Sequence, residues 1–263
     1  MKTICIMNLK GGVGKTVTAD NMAAILAADH SKRVLLIDAD HQGNTSKFFH
    51  ADTDRCATTL RDILTGDAEP FWPDSIQDTG YKNLDIIPAD MSLAELDTSL
   101  AMQDVKSLWR LRDLLLAMAE DNAYDYVLVD MPPAFSLAAR AALVAADEVI
   151  VPIKLDAFSV DGMAELLRQI SAMKKVNSRL TLTGVLITMW RNADVVHQAE
   201  KVLRDSGVPV FETTIRRTDI VDESTFQREP LVIYSPRSAA CVDYRRLVAE
   251  YLGREAYHGQ EAI

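Results

Sequence analysis

Apolar residues along the chain gather in short, nearly unbroken runs, and the segments between the runs have helical spacing. The runs are TICIMNL (3–9), RVLLIDA (33–39), NLDIIPA (83–89), YVLVDMP (126–132), EVIVPIK (148–154), LTGVLITM (182–189) and VPVFETTI (208–215). Near-continuous hydrophobicity over this length predicts strands buried on both faces, as in a parallel sheet. Residues 16–29, 91–100, 107–122, 136–146, 159–176, 194–206 and 238–252 read as helices. Alternation of this kind predicts an α/β fold, a doubly wound, mostly parallel sheet flanked by helices and built from right-handed crossovers. Ligands in such sheets sit beyond the carboxyl ends of the strands. With no internal repeat, low-complexity tract or Pro/Gly linker, residues 1–252 are expected to form a single domain. GDAEPFWPDS (66–75) reads as a surface excursion and 253–263 as a frayed tail.

Composition narrows the function classes. At 263 residues, 48% hydrophobic and 25% charged, the chain is ordinary for a soluble protein. No stretch approaches ~18 uncharged apolar residues, and the N-terminus runs straight into a strand without a signal-peptide layout; the expected location is the cytoplasm, with no membrane partner. Cys5, Cys56 and Cys241 lack metal-ligand spacing and read as reduced thiols. The net charge of −10 argues against a constitutive nucleic-acid binder. From residue 160 onward Lys+Arg and Asp+Glu balance at 14 each, so the acidic excess lies in residues 1–159. The C-terminal part is therefore free to carry a local basic face.

The chemistry begins at NLKGGVGKT (8–16), between a predicted strand and a predicted helix. Gly11, Gly12 and Gly14, with Val13 among them, let the backbone point N–H groups at phosphate oxygens. The following helix adds the positive end of its dipole, and Val17 lies in its first turn. Lys15 is placed to reach β- and γ-phosphates and Thr16 to ligate Mg²⁺. Lys10 is an additional lysine that a phosphate loop does not require. Two further strands end in acids: Asp38 and Asp40 in LLIDADHQGN (35–44), and Asp130 in YVLVDMPP (126–133). One such Asp is ordinarily a helix cap or a turn residue. Three at the ends of buried strands predict a shared metal and phosphate site.

KGGVGKT, LLIDADHQGN, VLVDMPP and PLVIYSPRSAACVDYRRLVAEYL (230–252) together resemble the ParA/Soj family of deviant Walker A ATPases, which segregate plasmids and chromosomes. The resemblance runs from residue 3 to about 252. It implies the P-loop NTPase fold, the cofactors ATP and Mg²⁺, and an ATP-dependent homodimer in which Lys10 reaches the partner's phosphates. In its terms Asp38 holds Mg²⁺ through water, Asp40 orients the attacking water and Asp130 is the Walker B acid. Lys10, Lys15 and Asp40 are the catalytic set. The family usually reads D-x-D-P-Q; His41 stands where the proline would be. At the base, I-P-R-N of the family becomes Ile215-Arg216-Arg217-Thr218, making Arg216 and Thr218 candidate adenine contacts.

The resemblance further implies nonspecific DNA binding in the ATP state, association with the bacterial nucleoid, and a ParB-like activator. Arg191, Arg217, Arg245 and Arg246 are the candidate DNA contacts. A family arginine falls on Ile220 here. Alternatives within the fold remain open: a ParA-like ATPase positioning another cargo, and a MinD-like membrane ATPase, whose basic amphipathic tail GREAYHGQEAI does not resemble.

Overall fold

Among the described residues eight strands form one sheet in the order β3-β4-β2-β5-β1-β6-β7-β8, and every neighbouring pair runs parallel except β3 and β4. The computed structural model describes the chain except residues 68–70, 100–103, 157–158 and 262–263; the side chains of 159–161 and 256–261 also lie outside the description. The strands are β1 (Lys2–Ile6), β2 (Val34–Asp38), β3 (Gln77–Asp78), β4 (Leu84–Ile87), β5 (Tyr126–Asp130), β6 (Glu148–Lys154), β7 (Thr181–Trp190) and β8 (Val210–Arg216). The seven apolar runs are seven of them; the two-residue β3 is too short to have a pattern. The mostly parallel α/β fold expected from the sequence is present.

The helices are α1 (Lys15–Ala28), α2 (Asn44–Phe48), α3 (Leu60–Thr65), α4 (Ser92–Glu95), α5 (Ser107–Glu120), α6 (Leu137–Ala145), α7 (Ser159–Met173), α8 (Asp194–Arg204), α9 (Asp219–Gln227), α10 (Leu231–Tyr234) and α11 (Ala239–Glu261). One face of the sheet packs on α3, α5, α6 and α7 around Leu35, Ile37, Val127, Val129, Leu143 and Leu166. The other packs on α1, α10 and α11 around Ile4, Ile6, Leu36, Leu128, Ile25 and Leu247. Alternate residues of β1, β2 and β5 thus feed both cores, which is why these runs are apolar without interruption.

Three expectations need correction. Residues 91–100 do not form one helix, because α4 gives way to a tight 3₁₀ turn at Leu96–Thr98 (residue 100 lies outside the description). In 66–75, Trp72–Ser75 form a 3₁₀ turn with Ser75 buried and Trp72 packed on the core, so that end is not an excursion; 68–70 lie outside the description. Residues 253–255 are not frayed. The α11 helix continues through them, and Arg254 donates to the carbonyls of Thr183 (3.2 Å) and Val210 (3.1 Å) and pairs with Glu250 at 2.6 Å. Its guanidinium also lies over the Phe211 ring, 4.3 Å from the centroid.

The order places β1 between β5 and β6, with β2 and β4 beyond β5 and with β7 and β8 beyond β6. The crossovers diverge to opposite sides at β1, so a crevice opens at its carboxyl end. The loop leaving β1 is residues 7–14, the glycine-rich segment.

Candidate functional site

The loop is anchored before it turns. Asn8 donates from Nδ2 to the Pro152 carbonyl (2.7 Å) and accepts the Lys10 N–H on Oδ1 (2.9 Å). The Thr188 hydroxyl at the end of β7 lies 2.8 Å from the Val13 carbonyl. Gly12 and Gly14 have φ of +69° and +85°, the left-handed region that an L side chain rarely tolerates. Gly14 is also the N-cap of α1, where no side chain caps the helix, so its first N–H groups face the crevice. Lys15 is only 8% exposed, and its Nζ lies 3.3 Å from the Lys10 carbonyl. Burial lowers its pKa below the ordinary lysine value, while Asp130 and Asp40 pull it back up.

The acids meet because the strands do. Asp38 ends β2 and Asp130 ends β5, and the two are direct partners across the parallel ladder. Asp130 Oδ2 accepts the hydroxyl of Thr16 (2.7 Å) and lies 3.0 Å from that of Thr45, while Oδ1 is buried without a partner. Asp38 differs. Its Oδ1 accepts the Asp40 N–H (3.1 Å), and its Oδ2 accepts the Ser46 N–H (2.9 Å) and hydroxyl (2.7 Å). Asp38 therefore closes the 38–46 loop on itself. Burial raises both carboxyls, Asp38 to about 7 and Asp130 to about 6; Thr16, Thr45 and Lys15 hold Asp130 down. Asp40 sits at the loop entrance, 8% exposed, with Oδ1 accepting the Gln42 N–H (3.0 Å) and lying 3.6 Å from the His41 ring.

These donors suit Mg²⁺ with a bound nucleotide. Among the described residues no group of three or more acids, histidines or cysteines forms a metal cage. Mg²⁺ bound with phosphates instead keeps its waters and takes one or two protein oxygens. A hydroxyl at Thr16 and an orphaned carboxylate oxygen on Asp130 are that kind of set. Asp38, with both oxygens engaged by the loop, is less available than the resemblance implied.

Gly43 shows how tightly the loop is held. Its φ is +61°, and a Cβ there would stand 2.8 Å from the Ala89 carbonyl oxygen. Ser46 Oγ in turn accepts the Ala89 N–H at 2.8 Å. We expect Gly43→Ala to destabilise the protein by about 1–3 kcal/mol through strain and clash. Urea denaturation measures it; unchanged stability would mean that the loop has another resting conformation.

Beside the phosphate loop lies a cavity of about 190 Å³ lined by Gly14, Val17, Ile215, Arg216, Thr218 and Tyr244 among others. Val17 and the faint base candidates Arg216 and Thr218 are thus brought together with the loop. Thr218 Oγ1 is buried without a partner. Arg216 is not a free stacking group, because Asp243 holds its guanidinium at 2.7 and 2.8 Å. A larger cavity, about 1010 Å³, opens at the opposite pole of the sheet. Its Lys2, Glu148, Tyr251 and Arg254 pair with their neighbours, and the phosphate loop and the three acids do not line it.

The DNA candidates separate. Arg245 is bound to Asp29 (2.6 Å) and donates to the Pro236 carbonyl. Arg191 and Arg217 line one small cavity beside Trp190, and Arg246 lines another on the same tryptophan. Lys10, the extra lysine, pairs with Asp156 at 2.5 Å across the loop mouth, about a third of each side chain being exposed.

Sequence reasoning missed Asn8, Asp20, Thr45, Ser46, Asp156 and Thr188. Thr45 and Ser46 directly follow the quoted DADHQGN and were one step from being found. Asp20 carried a signal: it is a charged residue in the buried run TADNMAAILA of α1.

A family model described as "AAA domain" matches residues 1–182. The chromosome partitioning protein ParA of Caulobacter vibrioides is 37% identical over 258 residues, spanning 97% of this chain and 95% of that protein. The sporulation initiation inhibitor protein Soj of Bacillus subtilis is 35% identical, over 95% and 97%. The chain belongs to the ParA/Soj family. It is a ParA-type ATPase on a fold shared with solved relatives. Apo McdA from Cyanothece superposes with a TM-score of 0.83 at 25% identity, covering 96% of this chain and 99% of that one. A protein described as cobyrinic acid a,c-diamide synthase from Mycobacterium smegmatis, bound to ADP and magnesium, gives 0.81 at 26%, covering 96% and 94%. Among the described residues no helix of this ATPase is long and apolar enough to cross a membrane.

Proposed function

We propose that this chain hydrolyses Mg-ATP as a nucleotide-dependent homodimer and, in the ATP state, binds DNA without regard to sequence, to segregate a replicon under control of a ParB-like activator. The observation that carries the reading is Lys10 at the mouth of a phosphate loop already supplied by Lys15. Thr16 and Asp130 hold the metal, Lys15 the phosphates, and Asp40 orients the attacking water. The base lies against Val17 with Thr218 at its edge.

Lys10 serves the partner's phosphates, so its pair with Asp156 must open. The energies permit it, because an ion pair as exposed as this is worth under about 1 kcal/mol. A cation supplied across a dimer to a triphosphate stabilises the transition state as an arginine finger does. Breaking the Asp156 pair thus exchanges a weak contact for a strong one.

For DNA, Lys154, Arg191, Arg217 and Arg246 cluster around Trp190 at the carboxyl ends of β6, β7 and β8. Arg245, neutralised by Asp29, contributes little. A chain of net charge −10 repels DNA as a monomer, and pairing two such clusters on one side of a dimer overcomes this. Phosphate contacts carry no base information, so binding is nonspecific.

Sedimentation with ATP and Mg²⁺, with and without duplex DNA, tests the reading. The wild-type chain is expected to dimerise and then to retain DNA, with retention falling steeply between ~50 and ~200 mM salt. Lys10→Ala should bind ATP yet remain monomeric and free of DNA. Wild-type-like dimers of Lys10→Ala would remove the trans role. ATP-driven dimers that ignore DNA even at low salt would favour a second reading, a ParA-like ATPase that moves another cargo through protein contacts. The pairing of Arg245 with Asp29 is the observation on that side.

A further inference from the structure

Asp20 lies one helical turn after Thr16 on α1, 2% exposed, and no part of the phosphate-loop chemistry calls for it. Its Oδ1 is 3.0 Å from the hydroxyl of Thr45, and that same hydroxyl is 3.0 Å from Asp130 Oδ2. A threonine hydroxyl has a single proton. It can donate to one of these carboxyls and must accept an O–H from the other. The neighbours decide which. Asp130 Oδ2 also receives the Thr16 hydroxyl at 2.7 Å, and Lys15 stabilises its charge. Asp20 faces the carboxyls of Asp130 on β5 and Asp38 on β2, Thr45 on α2 and the Tyr244 phenol on α11. Burial and those two acids push its carboxyl well above the ordinary range. Asp130, with the Thr16 hydroxyl and Lys15 beside it, is the carboxyl placed to keep its charge, which leaves Asp20 as the one to donate to Thr45.

We propose that Asp20 is a positioning residue of the magnesium–nucleotide site, a neutral carboxylic acid that donates to Thr45 and so commits the Thr45 proton to Asp130. The chain is Asp20 O–H to Thr45 Oγ1, then Thr45 O–H to Asp130 Oδ2. It leaves the unpartnered Asp130 Oδ1 as the oxygen turned to the metal shell, and it ties α1 to the segment after Asp40 through Thr45. This rests on the ATPase reading and deepens it.

The test compares wild type with Asp20→Asn, which keeps a neutral donor, and Asp20→Val, which has nearly the same shape and no donor. Infrared spectra at neutral pH, with and without Mg-ADP, should show in wild type the carbonyl stretch of a protonated carboxyl that Asp20→Asn lacks. Asp20→Val should need ~10–100-fold more Mg²⁺ for half-maximal hydrolysis, the range found when a residue supporting a metal ligand is lost. The KM for ATP at saturating Mg²⁺ should change far less. Removing a buried acid should also leave the melting temperature at or above the wild-type value. Asp20→Asn should recover most of the Mg²⁺ dependence. An unaltered Mg²⁺ requirement in Asp20→Val overturns the proposal, as does Asp20→Asn behaving like Asp20→Val. If Asp20→Val does not fold, the infrared comparison decides alone: no lost carboxyl band, no neutral Asp20. Absence of Mg-ATP hydrolysis by the wild-type chain would sink the ATPase reading instead, and the infrared result would stand apart from it.

Discussion

Replacing Lys15 with alanine is expected to weaken ATP binding by ~10²–10⁴-fold and to abolish hydrolysis. Lys15 is the cation that the loop buries against Asp130 and Asp40, at 8% exposure. Burial alone favours its neutral form; the two carboxylates keep it charged. Without it, a triphosphate entering the crevice meets two acids and no buried cation. Removing one partner of a buried charge constellation costs about 3–5 kcal/mol, and each 1.36 kcal/mol is a factor of ten. The helix N-terminus and the N–H groups of 11–14 remain, which is why the loss stops short of complete insensitivity at millimolar nucleotide. Titration with a fluorescent ATP analogue measures the affinity, and circular dichroism checks that the variant is folded. An affinity within threefold of wild type would place the phosphates away from this loop.

How much of this was legible in the sequence depends on distance along the chain. The phosphate loop is local: glycines, lysine and threonine are contiguous, and their strand–helix context can be read directly. The strand ends carrying Asp38 and Asp130 were equally plain, because a buried apolar run that stops at an acid is a visible boundary. Their ladder register, which makes them neighbours, is a property of the sheet and not of either segment. The Lys10–Asp156 pair spans 146 residues and has no sequence signature. Short helices such as α2 and α10, at five and four residues, hold too few positions for any period to register. Residues 253–263 were read as a frayed tail, yet Arg254 anchors its first residues, 253–255, through backbone carbonyls of two strands that the sequence does not place nearby. The arginines were misjudged for the same reason. Arg216 and Arg245 are basic letters in the sequence, and only the fold reveals Asp243 and Asp29 beside them.

The second large effect is expected from Asp40→Ala, which should slow single-turnover hydrolysis by ~10²–10⁴-fold while ATP binding stays near wild type. Its neighbour explains why the two acids of this strand end are not equivalent. Asp38 spends both oxygens on the Asp40 N–H and on Ser46, so its loss should loosen the whole 38–46 loop and lower stability. Asp40 is engaged by the Gln42 N–H and approached by His41, contacts at the rim rather than in the core. Truncating it removes a base or orienter for the attacking water while leaving the Thr16–Asp130 hydrogen bond in place, and Asp130 still supports the charge of Lys15. A site that binds Mg-ATP but cannot discharge it should accumulate in the ATP state, so the variant should sediment as a dimer for far longer than wild type. Stability in urea should change much less than for Asp38→Ala. Quenched single-turnover hydrolysis beside sedimentation separates the possibilities. Unchanged chemistry in Asp40→Ala would move the role to another group at the loop mouth, with Lys10 of the partner next in line. Lost nucleotide binding would mean that Asp40 joins Thr16 and Asp130 in holding the magnesium.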